Sequence, residues 1–259
     1  SKVQAQIREI YHEHNGVDGY RSMTVYLARK GFRYSPITIH KYMNTEMGLY
    51  AIVRPKKPEY LHRKPHKVFG NKPAQNFTAE RANQKWCTDF TYLFLKNGEV
   101  CYDCSILDLY DRSIIASITD RHITSELAIR TLQKALDSQP LRDAIQLRGV
   151  SKGILFHTDR GSQFTSSDFR KVIDSFHLIQ SFSANGHPYH NAVMECFFKY
   201  LKKEELYRRH FQSVEQLKLS LVSYFAGLYN PLRPHSHNNG LSPNHMEDRY
   251  FANFSCPLY

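Results

Sequence analysis

Trp86-Cys87-Thr88-Asp89-Phe90-Thr91 sets an aspartate in the middle of an otherwise apolar strand. A buried carboxylate is costly unless it is paired or bound to a metal, so Asp89 needs a chemical reason. Further on, Ile154-Leu155-Phe156 leads through His157 and Thr158 into Asp159-Arg160-Gly161-Ser162-Gln163-Phe164, an aspartate at a strand end followed by a Gly-containing loop. Strand ends in α/β sheets are where ligands are usually held. A third carboxylate, Glu195, falls one turn into a helix predicted to begin near Asn191. Taken singly, Asp89 also reads as a cross-strand cap, Asp159 as a turn former and Glu195 as a solvated helix residue. Their order and spacing in one chain reverse that balance.

Around Asp89 the pattern alternates strands and helices. Strands are predicted at 85–95, 99–109 and 113–119, joined by the turns Asn97-Gly98 and Asp111-Arg112. A helix over 124–137 follows, with Leu127, Ala128, Leu132 and Leu136 on one side. Then come a strand from Gly153 to Thr158, a helix near 166–176, a strand at 178–183 and long helices at 191–207 and 213–229. Three antiparallel strands followed by alternating strands and helices make a mixed α/β sheet flanked by helices, assigned to residues 81–246. Residues 247–259 read as a C-terminal tail. Cys101 and Cys104 form a C-x-x-C on a predicted strand, so they point to opposite faces, and no second ligand pair is spaced for zinc.

In front of this core, residues 1–52 carry three helical stretches. The first has Val3, Ile7, Ile10 and Tyr11 at helical spacing; the second runs from Ser22 to Lys30 and stops at Gly31; the third has Ser35 as N-cap and Pro36 at its first position. Three short helices with tight turns suit a helix-turn-helix module or a small structural bundle. On the third helix Thr38, His40, Lys41 and Asn44 are able to face outward. Residues 53–80 form a linker broken by Pro55, Pro58, Pro65 and Pro73. Its cations include Lys56, Lys57, Arg63 and Lys64, which suit phosphate tracking or simple solvation.

Net charge +11 and a pI near 9.4 favour a polyanionic partner. A hydrophobic share of 41% is too high for a disordered chain. No run of about 18 apolar residues occurs, which excludes a transmembrane helix. The five cysteines are odd in number and unframed, as in a reducing compartment. The opening Ser1-Lys2-Val3-Gln4 has no signal core and reads as an internal piece of a longer chain.

Between Asp159 and Glu195 lie 35 residues. That spacing resembles the D,D(35)E arrangement of retroviral integrases and related bacterial transposases. Trp86 to Thr91 resembles their W-x-T-D-[IF]-T, and His157 to Phe164 their H-[ST]-D-x-G-S-Q-[YF]. Gly186-His-Pro-Tyr-His-Asn-Ala-Val-Met-Glu195, with Phe197, Leu201-Lys202 and Glu204 or Glu205, resembles G-x-P-x-D-N-A-x-x-E-x-F…L-K-x-E. Tyr229-Asn230, Arg233-Pro234-His235 and Leu241-Ser242-Pro243 are similar to Y-N-x-x-R-P-H…L-S-P, and Gly19-Tyr20-Arg21 to a Y-G-x-R element. The likeness runs from residue 7 to about 246. It identifies the chain as similar to the second-frame transposases of two-reading-frame bacterial insertion sequences. One departure is His190, where the family has Asp.

The resemblance implies a ribonuclease-H-like fold in which Asp89, Asp159 and Glu195 are catalytic and hold two Mg2+ or Mn2+ ions. It implies 3′-end cleavage and strand transfer on double-stranded DNA, through an excised circle before insertion into target DNA. Expected partners are the terminal repeats and target DNA, a second copy or higher oligomer on DNA, and an upstream-frame product. No membrane is expected, and the location is cytoplasmic, at the nucleoid when bound. Asn191, Glu195, Lys199 and Lys202 share one helix face. Retroviral integrases carry two lysines spaced like Lys199 and Lys202 from their Glu, so these two read as DNA contacts with Asn191, or as an ordinary basic stripe. Arg233 and His235 read equally as DNA contacts or structural caps. Two rivals share parts of the pattern: an integrase of a retroviral-type element, and a transposase-derived DNA-binding protein without catalysis. The first would carry a His2Cys2 zinc domain in front, and no Cys precedes Cys87.

Overall fold

The computed structural model describes residues 1–52, 78–137, 153–182 and 191–255, with side chains to residue 252. These fall into two compact units, within 1–76 and within 77–259. The linker residues Lys56, Lys57, Arg63 and Lys64, and His190 with the rest of 183–190, lie outside the described residues.

The first unit is built of three helices. α1 (Lys2–Glu13) opens with a reciprocal cap between Ser1 and Gln4 and buries Val3, Ile7 and Ile10. α2 (Tyr20–Arg29) adds Met23, Tyr26 and Leu27 to the same core. α3 (Pro36–His40) starts as its sequence predicts, with the Ser35 side chain accepting from the Thr38 amide and Pro36 at the first position. It then widens over Lys41–Glu46 into a turn whose backbone bonds skip five residues, Met47 N to Tyr42 O at 3.0 Å. Gly16 has φ +72°, and a Cβ there would meet Ile52 and Tyr11 at 3.0 Å, so only glycine fits without a shift.

The second unit is a five-stranded sheet in the order β3-β2-β1-β4-β5. β1 (Lys85–Phe94), β2 (Val100–Asp108) and β3 (Ile114–Asp120) are antiparallel, and β4 (Leu155–Thr158) and β5 (Ile179–Phe182) run parallel to β1. Alternation along β1 splits the core. Trp86 joins Ile106, Leu132, Phe156 and Phe169 beneath α4 (Ser125–Leu136) and α6 (Ser167–Ser175), which follows the short α5 (Ser162–Thr165). Cys87 and Leu93 join Met194, Phe197, Leu201, Leu217 and Leu221 of α7 (Ala192–Glu204) and α8 (Val214–Ser223). α8 ends in a second wide turn, Tyr224–Tyr229, with Asn230 N bonded to Phe225 O at 3.0 Å. Cys101 and Cys104 are free, buried thiols on β2.

The segment expected to form a C-terminal tail carries a helix. From Pro243 to Ser255 the chain is helical (α9). The Ser242 carbonyl accepts from Met246 N at 3.0 Å, and Tyr250 packs on Tyr110 with ring centroids 5.1 Å apart. Ser242-Pro243 is the same start signal as Ser35-Pro36, and residues 247–255 continue this helix. Among the described residues no helix is long and apolar enough to cross a membrane.

Candidate active site

Asp89 lies on the central strand β1, opposite Ser105 of β2 and half-buried. One oxygen accepts from its neighbour's amide, Phe90 N at 2.8 Å; the other accepts from Asn191 Nδ2 at 2.8 Å. Burial pushes its carboxyl up to about 6, the charges of Asp159 and Glu195 push the same way, and the two hydrogen bonds oppose them. The parallel register pairs Cys87 with His157, so Asp159 emerges just past β4 level with Asp89. Asp159 Oδ1 accepts from Gly161 N at 2.8 Å. A Cβ at Gly161 would stand 3.0 Å from that oxygen, which accounts for glycine in the loop. Glu195 is exposed, in the first turn of α7.

The three carboxylates are thus electrostatic neighbours, contributed by β1, the end of β4 and α7. As they stand, no three His, Cys, Asp or Glu side chains among the described residues are gathered closely enough to hold a metal ion. His157 is buried and meets Ser181 of β5, Nδ1 to Oγ 3.3 Å.

The other expected site residues separate into two groups. Lys199 is exposed on α7, while Lys202 is half-buried and its ammonium is lowered by burial. Lys41 is exposed, 3.8 Å from Glu46. Arg233 and His235 are inside. Arg233 grips Glu204 through both nitrogens of its fork and lies 4.3 Å over the Tyr200 ring. Burial, with Arg233 nearby, lowers His235 to about 3, so it carries no charge to offer a phosphate at neutral pH. These contacts accord with the capping reading of both residues. Asn191, expected on DNA, is held by Asp89. The signal that could have shown this is its helix spacing from Glu195, read only as a shared face.

Comparison with known families adds an independent line. Two family models described as Integrase core domain match residues 79–188 and 178–243, and an HTH-like domain model matches 2–57. A putative transposase for insertion sequence element IS150 of Escherichia coli is 29% identical over 242 residues, 93% of this chain and 81% of that protein. A transposase for insertion sequence IS3A of Escherichia coli is 35% identical over 178 residues, 69% of this chain and 58% of that one. The chain carries an integrase core domain and is similar to these insertion-sequence transposases. A Lactococcus lactis protein named an ATP-dependent protease is 47% identical over 124 residues, which is 48% of this chain but 39% of that protein. Most of that protein lies outside the match. The chain thus spans less than two thirds of the length of two of these three relatives. Among solved structures, a chain of the simian T-cell lymphotropic virus intasome superposes with TM-score 0.51 over 94% of this chain and 74% of its own, at 16% identity. That likeness is one of fold, and it spans the mixed sheet with its flanking helices.

Proposed function

We propose that this chain cleaves 3′ ends at insertion-sequence termini and joins them to target DNA, using divalent metal held by Asp89, Asp159 and Glu195. The observation that carries the reading is the placement of Asp89. A carboxylate on the central strand, raised by burial and by two further carboxylates, is a site short of positive charge. Hard oxygen donors of this kind fit Mg2+ or Mn2+, which keep waters and substrate oxygens and so need few protein ligands. Because no three donors are yet gathered, Glu195, the exposed member, is the one that closes on the ion. When bound, a pair of ions supplies Lewis-acid activation of the attacking oxygen and stabilisation of the leaving 3′ oxygen.

The chain's own residues do the rest. Asp159 is kept in place by the Gly161 amide, and Asp89 by the Phe90 and Asn191 donors. Lys199, one turn beyond Glu195, neutralises a DNA phosphate and aligns the end over the carboxylates. The three-helix unit reads the element's ends through His40 at the end of α3 and Lys41 at the start of the wide turn after it, while Lys56, Lys57, Arg63 and Lys64 hold phosphates without reading sequence. The working form is a homodimer or larger assembly on DNA, with association of an upstream-frame product, acting at the nucleoid.

The test is a duplex carrying the element's own end, labelled at the 5′ end of the strand to be cut, incubated with Mg2+ or Mn2+ and then with supercoiled target. Cleavage and joining that both vanish in EDTA are expected. Tight, specific binding with no cleavage in either metal would mean a DNA-binding derivative without catalysis.

A further inference from the structure

Asn191 sits at the N-cap position of α7, where an asparagine ordinarily spends its side-chain oxygen on a free amide of the first turn. Here it makes no such cap. Its Nδ2 instead crosses to β1, 2.8 Å from Asp89 Oδ2 and 3.5 Å from the Thr88 carbonyl. Its Oδ1 is buried and accepts no hydrogen bond among the described residues. Among the described residues the helix thus forgoes its cap and leaves a polar atom unsatisfied. Local conflicts of this kind concentrate where function rather than stability sets the arrangement.

We infer that Asn191 is the positioning residue through which the site gathers its metal. The inference rests on the metal reading above and deepens it. Asn191 and Glu195 are four residues apart, stacked on one helix face. Fastening the helix start to Asp89 therefore sets how far Glu195 must travel to meet the ion. The same bond fixes the Asp89 carboxylate in rotation while using one acceptor position of Oδ2, leaving others for a cation. The unpaired Oδ1 is an acceptor for a donor brought in by the ligand, and a water of a hydrated divalent ion is the donor this site's charge calls for. Asn191 acts through Asp89 and Glu195 and touches neither DNA nor the reacting atoms.

Mn2+ binding to the full chain without DNA, followed by electron paramagnetic resonance of the free ion, tests this directly. Asn191→Ala is expected to weaken Mn2+ binding about tenfold, with thermal melting in EDTA and end-DNA binding in EDTA both unchanged. Asn191→Ser, which restores an ordinary cap but cannot reach Asp89, serves as the second variant should alanine unsettle the helix, and is expected to show the same loss. In a Glu195→Gln background, Asn191→Ala should add little, because it acts largely through placing Glu195. Wild-type Mn2+ affinity in both Asn191 variants overturns the inference. So does a loss fully additive with Glu195→Gln, and so does a loss confined to DNA binding in EDTA, which would make Asn191 a DNA contact. A wild-type chain that binds no Mn2+ at all would instead remove the metal reading itself.

Discussion

Arg233 and Glu204 close a two-pronged ion pair inside the second unit, with Nη2 2.8 Å from Oε1 and Nε 3.0 Å from Oε2. Tyr224 donates to the same carboxylate at 2.7 Å. The pair ties the last turn of α7 to the segment after the wide turn that ends α8, so it braces from behind the helix that carries Glu195. Removing one member strands a buried charge, which costs about 3–5 kcal/mol. Arg233→Ala should lose stability on that scale in urea titrations. The salt dependence of DNA binding should be unchanged, since the guanidinium is spoken for. A flattened salt dependence with little loss of stability would return Arg233 to the DNA surface.

Asp103 on β2 supplies a second buried-carboxylate test. It accepts from Ser105, Ser117 and Thr119 at 2.6, 2.7 and 2.8 Å. Asp103→Ala leaves three hydroxyls without their acceptor and should cost roughly 3 kcal/mol in urea unfolding. Its Mn2+ affinity should remain that of wild type, which separates this structural carboxylate from Asp89.

That pair of aspartates shows where reading the sequence succeeded and where it ran out. The strands themselves, with Asp89 inside one and Asp159 at the end of another, were legible, because apolar alternation and turn residues mark strands and their ends. Asp103 is as deeply embedded in apolar sequence as Asp89, yet only Asp89 drew attention. What distinguishes them is the pair of β3 hydroxyls, Ser117 and Thr119, that join Ser105 on Asp103, a contact between segments that no local pattern encodes. Arg233 and His235 read as equally suited to DNA or to capping, and the Arg233–Glu204 pairing that favours capping joins segments 29 residues apart. Helix α9 was missed although Ser242-Pro243 announces it, because the residues after it carry little apolar periodicity.

The contact of α9 with the β2–β3 turn predicts an unusual pH response. Burial, then the charges of Asp111 and Asp248, push Glu247 from 4.5 to about 7. A carboxyl raised on folding binds its proton more tightly in the folded chain, so its stability contribution is present below 4.5 and is lost as pH rises through 7. Melting in EDTA should therefore be higher at pH 5.5 than at pH 8. Glu247→Gln should shrink that difference and stabilise the chain at pH 8 by about 1–2 kcal/mol. An unchanged pH profile in the variant would place the titration elsewhere.

Lys199 and Lys202 share a helix face but not an environment, since only Lys199 is exposed. Lys199→Ala should weaken binding to end and scrambled DNA alike and lower the slope of log affinity against log salt by about one. Lys202→Ala should change the slope less. Equal slopes for both variants would mean that burial does not sort the two lysines.

The central claim is that Asp89, Asp159 and Glu195 act as one metal-holding set. The most direct measurement is 3′-end cleavage of the element's own end DNA by Asp89→Asn, Asp159→Asn and Glu195→Gln, each near-isosteric and each checked for folding and for DNA binding in EDTA. Each variant is predicted to stay folded, to bind DNA at least as well as wild type, and to cleave about a thousandfold more slowly, roughly 4 kcal/mol in barrier. Near-wild-type cleavage by any one of the three would contradict the account and remove that residue from the site.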